Sequence, residues 1–430
     1  MTRNEFVESI GIGHSLGNSL ECFIECNYQR SMGFTNTESV SSVLIEKNVT
    51  DINGFHDFRI FVRWPDGTYS YYYNFEELWS NVVTTTEFFT TLVDNGTTAI
   101  RIPVNLITHI VNASTHEVDV IWLNRIRDVV NMAIGAGLKC IVTLHTDYAI
   151  MCKSGNFVSL LDSERDPSID GVGRLMSVWK QLALHLNDIS SDVLAFELAN
   201  EFQMRDLEHS TTPEVLASYA VNLYRYLHSA IRSVGGNSAE RFLIIGGYRN
   251  SVFYSPDKFI NLINDELDDR CILSSCYYTP WQFTVCKEAD TWEYDGETKE
   301  QMDAHFQKLL EVRESTDIPV LISEYGVGSD DTAMTHKDDL CICKYLYFMM
   351  KWFHDNSFSA CIWDPGYLLH RTDMSYGIPF WKDMIAAIKS NVNFDVDAAY
   401  AEHKDNVSFL RCTEPRPATY EDLQALDAIE

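Results

Sequence analysis

The chain has 430 residues and a formal net charge of -29, with 33 Lys and Arg set against 62 Asp and Glu. That acid excess excludes nucleic acid and anionic membrane surfaces as partners, because both demand clustered basic side chains. No run of about 18 apolar residues occurs, which excludes a membrane-spanning helix.

In chain order, a first strand is expected over Ser9–Leu16, leading into Gly17-Asn18-Ser19-Leu20-Glu21. Residues 30–75 read as an insertion, in which two β-rich runs, 58–64 and 68–73, flank Pro65-Asp66-Gly67 and make a hairpin. From Thr84 the pattern becomes regular. Helical stretches at 84–95, 118–136, 173–187, 213–234, 256–267, 300–315, 337–353 and 380–390 alternate with short apolar runs. Those runs, at 98–104, 138–145, 193–199, 242–246, 271–275, 320–323 and 360–363, read as buried parallel strands. Eight alternations predict a (β/α)8 TIM barrel over residues 1–392, with the insertion at about 30–75. A doubly wound sheet would show a glycine-rich phosphate turn after its first strand, and Gly11-x-Gly13 is too little for one. The acidic tail, 393–430, is expected to be extended or partly disordered and to carry no chemistry.

The 11 cysteines show no regular spacing for zinc or a disulfide framework. Buried free thiols account for Cys140, Cys271 and Cys361, while Cys22 and Cys26 are close enough for a local bridge. The opening Met1-Thr2-Arg3-Asn4-Glu5 lacks the apolar stretch of a signal peptide. The expected location is therefore cytoplasmic, or secreted with the leader removed. Sequons at Asn48, Asn95, Asn112 and Asn406 mildly favour the second. Aromatic content of 12% goes mostly to packing, with a remainder that can stack on sugar rings. The acidic balance suits a neutral polysaccharide.

Barrel chemistry sits at the strands' C-terminal ends. Those ends carry Asn18 and Glu21 after the first strand, Arg101 in the second, and His145 and Asp147 at the third. They carry Asn200 and Glu201 at the fourth, Cys276, Tyr277 and Tyr278 at the sixth, Glu324 and Tyr325 at the seventh, and Trp363 at the eighth. A lone glutamate at a strand end is ordinarily a solvated rim residue; it is the ensemble that points to a site. Two glutamates on opposite rims can face each other across a cleft, as glycosidic bond cleavage requires. His145-x-Asp147 is the only ligand-like spacing on the rim, so no metal and no cofactor is expected.

These motifs resemble glycoside hydrolase family 5, the cellulase family, over about residues 9–390. The pieces that carry the resemblance are Gly17-Asn18, Arg101-Ile102-Pro103, His145, Asn200-Glu201, Tyr277-Tyr278-Thr279-Pro280-Trp281, Ser323-Glu324-Tyr325-Gly326 and Trp363. The resemblance implies that Glu201 is the general acid/base and Glu324 the nucleophile of a retaining glycosidase, about 5–5.5 Å apart. At that separation the charge on one raises the pKa of the other, so Glu201 starts protonated. It implies that Arg101 holds Glu324 ionised, that Asn200 binds the sugar 2-hydroxyl, and that Tyr278 donates to Glu324. His145 would bind a sugar hydroxyl or orient the site, and Trp363 would form a stacking floor. Trp281, Phe283 and Trp292 would extend the platform, Phe283 being equally explained by core packing. Asn18 and Glu21 would support the rim. One departure stands out. The family has a histidine where this chain has Cys276, a weaker and shorter donor. A second, Thr146 in place of a histidine, falls where the family varies.

The reading that follows is a retaining endo-β-1,4-glucanase acting as a monomer on β-glucan or a related plant polysaccharide. A β-mannanase, xyloglucanase or exo-β-glucosidase of the same family is the alternative, as is a glycan-binding pseudoenzyme impaired at Cys276.

Overall fold

The computed structural model describes residues 1–22, 42–50, 56–63, 69–72, 75–79, 82–112, 114–145, 171–202, 212–328 and 336–409, the three strands between 42 and 72 as backbone only. Eight parallel strands close into a barrel: β1 (Ile12–Leu16), β2 (Ala99–Val104), β3 (Lys139–Leu144), β4 (Leu194–Glu197), β5 (Leu243–Gly246), β6 (Cys271–Tyr277), β7 (Val320–Tyr325) and β8 (Ala360–Asp364). Neighbours in sequence are neighbours in the wall, and β1 pairs with both β2 and β8 to close it. The expected barrel is what forms. Among the described residues no helix is long and apolar enough to cross a membrane.

Each strand is buried along almost its whole length, which is why the strands read as unbroken apolar runs rather than alternating ones. Alternation survives on the inward face alone. Near the strand starts that face carries Ala99, Ile141, Ala195, Ile244, Ile272, Leu321 and Cys361, which pack as one cluster. β1 contributes Gly13, where a Cβ would stand 2.6 Å from Cys361 Sγ. Two residues further along, the same face turns polar with Ser15, Arg101, Thr143, Glu197 and Ser274. An apolar floor thus lies beneath a polar layer.

The floor has a plug that the sequence reading missed. Residues before Ile12 form a helix, Arg3–Ile10, opened by a capping box between Thr2 and Glu5. Its Phe6, Val7 and Ile10 join the inner cluster, and Phe6 stacks on Phe242 with ring centroids 4.5 Å apart. The first strand is accordingly shorter than expected, because Gly11 at φ +54° ends the helix and turns the chain into the wall. Phe6→Ala should lower stability by about 3–5 kcal/mol, the cost of a large cavity at a sealed barrel end. Denaturant unfolding would check it; a loss under about 1 kcal/mol would mean the helix is dispensable.

The insertion holds three antiparallel strands, Ser42–Thr50, His56–Arg63 and Tyr69–Tyr72, in that spatial order. The expected hairpin is its second half; the Pro65-Asp66-Gly67 turn lies outside the described residues, and the 42–50 strand was not anticipated. At its end Glu76 is buried and takes bonds from Arg125 Nε at 2.7 Å, the Thr84 N–H at 2.8 Å and Ser19 Oγ at 3.1 Å. The tail expectation needs correction over its first part. Val396–His403 is a helix, and its Asp397 pairs with Lys344 at 2.8 Å, while the Ser408 N–H bonds the Gly377 carbonyl at 2.9 Å. Residues 410–430 lie outside the described part. Cys22, Cys140, Cys271 and Cys361 are buried free thiols; Cys26, the suggested partner of Cys22, lies outside the described residues.

Candidate active site

The polar layer is organised by one guanidinium. Arg101, fully buried on β2, donates from Nε to Glu197 Oε2 at 2.6 Å, from Nη1 to Glu324 Oε2 at 2.9 Å, and from Nη2 to Asn200 Oδ1 at 2.6 Å. One planar cation therefore ties β2 to the ends of β4 and β7. Tyr278, just past β6, donates its hydroxyl to the other Glu324 oxygen at 2.7 Å. Burial pushes the Glu324 carboxyl above its ordinary range, and Arg101 and Tyr278 pull the other way.

Glu201 follows Asn200 in a left-handed backbone conformation, φ +45°. For a side chain with a Cβ that conformation costs about 1–2 kcal/mol, and it turns the residue out of the line of β4. One oxygen of Glu201, one of Glu324 and Cys276 Sγ all lie within 4.8 Å of one another. The pairing of β6 with β7 shifts register between Ser275 and Cys276, and that of β7 with β8 between Ile322 and Tyr325. These irregularities flank Glu324 and Cys276 and aim both into the mouth. Burial and the two carboxylates push the Cys276 thiol up, so it stands there as a neutral S–H. Its sulfur lies 3.9 Å from Ser323 Oγ. The three groups could hold a cation. So could His228, Asp268 and Cys271 on the outer side, although Arg232 already bonds both oxygens of that aspartate.

His145 and Trp363 stack face to face, centroids 5.1 Å apart and planes 5° from parallel. Burial, and then the charge on Arg101, push the His145 imidazole down to about 3, so it is neutral. A Cβ on Gly17 would stand 2.8 Å from the Trp363 indole, so only glycine lets that ring lie over β1. Behind it Asp364 accepts the N–H groups of Gly366, Tyr367, Leu368 and Leu369 and bonds His14 Nε2 at 3.0 Å, which fixes the loop after β8.

Asn18 and Glu21 sit on the β1 loop. Glu21 is buried and accepts the backbone N–H groups of Asn18 and Ser19, at 2.9 Å for the second. It braces its own loop rather than facing the Glu201–Glu324 pair. Burial pushes its carboxyl up to about 7. The folded state then holds the proton more tightly than an ordinary carboxyl at 4.5, so stability is lost as pH rises from about 4.5 to 7, by about 3 kcal/mol at most. Glu21→Gln should flatten that part of the stability–pH curve, read from urea midpoints; an unchanged slope would show that Glu21 is not the group responsible.

Trp281 is 53% exposed at the start of a short helix, Trp281–Thr284, after β6. Phe283 and Trp292 do not join it: both are buried and pack edge-on against Tyr345. That packing overturns the platform place expected for Trp292 and bears out core packing, the alternative expected for Phe283. Asp147 and Thr146 lie outside the described residues. Glu197, Asn250, His14 and Asp364 were missed, although a charged residue inside Leu194-Ala195-Phe196-Glu197-Leu198 was a visible signal.

Among curated relatives, endoglucanase 1 of Ruminococcus albus is 27% identical over 329 residues, covering 74% of each chain. Endoglucanase B of Paenibacillus lautus is 26% identical over 311 residues, covering 70% of this chain. The chain spans 52% of that protein and 55% of endoglucanase B of Ruminococcus albus, about half their length. Among solved structures, a GH5-4 broad specificity endoglucanase from Bacteroides salanitronis superposes with a TM-score of 0.66 at 22% identity, covering 92% of this chain and 96% of that one. At that identity the likeness is one of fold. The model of the cellulase family, glycosyl hydrolase family 5, matches residues 61–367, and the chain belongs to that family.

Proposed function

We propose that the protein is a retaining endo-β-1,4-glucanase that cleaves β-glucan with Glu201 and Glu324. One observation carries the reading: carboxylate oxygens of the two glutamates lie within 4.8 Å of each other. An inverting pair stands about 6.5–9.5 Å apart to admit a water, and a retaining pair about 5–5.5 Å apart. Glu324 attacks the anomeric carbon while Glu201 passes a proton to the leaving glycosidic oxygen. The glycosyl ester on Glu324 is then cleaved by water, which yields its proton to Glu201. Asn200, held by Arg101, binds the 2-hydroxyl in this reading, and the neutral His145 with Trp363 forms a flat wall for a sugar ring. Relatives named as endoglucanases support a β-1,4-glucan as substrate; one, from Bacteroides ovatus, is named as xyloglucan-specific. A polymer substrate goes with secretion, and a site whose described residues all come from one chain's barrel goes with action as a monomer.

The test is reducing-sugar release from carboxymethyl cellulose, barley β-glucan, xyloglucan and mannan, with the first-formed anomer read by NMR. A β-anomer from a glucan is expected. An α-anomer would overturn retention, and release from mannan alone would overturn the substrate. Binding without release would make the protein a glycan-binding one, and Cys276→His would then show whether the thiol is the cause.

A further inference from the structure

Arg101 serves two groups that the reaction needs in fixed relation, Glu324 and Asn200. A guanidinium on a flexible side chain can do so only if its rotation is held from a third side. The third side is Glu197, whose Oε2 accepts a hydrogen bond from Arg101 Nε–H at 2.6 Å, shorter than the 2.9 Å bond to Glu324. Glu197 is itself held. Its other oxygen accepts from Asn250 Nδ2 at 2.9 Å and from Ser274 Oγ at 3.5 Å. Asn250 also donates to Ser323 Oγ at 3.2 Å, beside Glu324 in the chain, and it sits in a left-handed conformation, φ +48°, in the loop after β5. All of these side chains are buried. A second carboxylate beside the nucleophile works against ionising it, since the charge on Glu197 raises the Glu324 carboxyl. Simple neutralisation of Arg101 needs only Glu324, so the extra acid calls for a geometric reason.

We propose that Glu197 is a positioning residue: it locks the Arg101 guanidinium in the one orientation that serves Glu324 and Asn200 together, and Asn250 locks Glu197. The consequence for turnover rests on the function proposed above; the contact itself does not.

Glu197→Gln keeps an acceptor for Arg101 Nε and removes the charge. Its new amide can be met by Asn250 Oδ1, which is buried with no partner among the described residues, so the variant should fold. Glu197→Ala frees the guanidinium. Positioning predicts a fall in kcat of about 100-fold for Ala with KM little changed, and a loss within about 10-fold for Gln. It also predicts that the acid limb of kcat/KM moves to lower pH in Gln, because a negative neighbour of Glu324 is gone. Equal losses in Gln and Ala, or an unmoved limb in Gln, would overturn the assignment. If the Ala variant does not fold, Asn250→Ala loosens Glu197 from the far side and should lower kcat about 3–10-fold at constant KM; no change would overturn it.

NMR of the 15N-arginine-labelled protein reads the same contact without turnover. The Arg101 Nε–H, identified by its absence in Arg101→Lys, should resist solvent exchange in wild type and Glu197→Gln and lose that protection in Glu197→Ala. Protection persisting in Ala overturns the inference. A protein that hydrolyses nothing yet shows the expected protection overturns the proposed activity and leaves the positioning role standing.

Discussion

Glu324→Gln should lower kcat on β-glucan by on the order of 10^4-fold or more, because the carboxylate proposed to form the glycosyl ester is gone. Glu201→Gln should be equally inactive on polymer but for a different reason, and the difference identifies the roles. In the proposed mechanism Glu201 gives a proton to a poor leaving group and later takes one from water. An aryl glucoside whose phenol leaves unaided bypasses the first duty, so Glu201→Gln should still release one phenol per enzyme in a burst. Added azide, which needs no base, should then restore turnover and give a β-glycosyl azide. Glu324→Gln should show no burst, and any azide product should have the α configuration, since azide would replace the nucleophile itself. If azide gives the α product with the Glu201 variant, the two roles are exchanged. If azide rescues neither, the close carboxylate pair is not a double-displacement pair.

The strand–helix alternation and the rim residues were legible because both rest on short-range patterns. A parallel strand of a closed barrel reads as a mostly apolar run whose C-terminal end opens on the mouth, so Glu201 and Glu324 stood out where such runs finish. The plug Arg3–Ile10 was not legible, since it is only eight residues long and its last two, Ser9 and Ile10, fall within the first strand expected over Ser9–Leu16. Only Gly11 marks the break. Glu197 was hidden for the opposite reason. Lying within a run read as buried, it was absorbed into the strand, and its partner Arg101 lies 96 positions away. Trp292 was misplaced because a loop after β6 was expected to face the cleft, whereas Trp292 folds back on Tyr345 of the Asp339–Asp355 helix. Long-range pairing decided each of these cases, and a single sequence does not display it.

The second large effect is expected at Arg101. Replacing it by Leu leaves Glu197 and Glu324 as buried carboxylates deprived of this cation and strips Asn200 Oδ1 of its Arg101 donor. Breaking a buried pair from one side costs about 3–5 kcal/mol. Glu324 answers by keeping its proton. Burial already holds Glu324 above its ordinary range and Arg101 opposes that, so removing Arg101 moves the carboxyl further up. A protonated nucleophile does not attack. The acid limb of kcat/KM should therefore move to higher pH, and at a pH below the new limb activity falls about tenfold for each pH unit that the limb has moved. Raising the pH should recover part of the loss in Arg101→Leu but none in Glu324→Gln. Arg101→Lys keeps the charge and loses the three-way geometry, so its limb should move less while kcat on the plateau still falls, Asn200 being unheld. Tyr278→Phe removes the other donor to Glu324 and should move the limb in the same direction by a smaller step. Profiles over about pH 4–8 for the three variants would check the order. A limb that stays put in Arg101→Leu and Tyr278→Phe alike would mean that Glu324 does not set it, and the acid limb would then have to be assigned elsewhere.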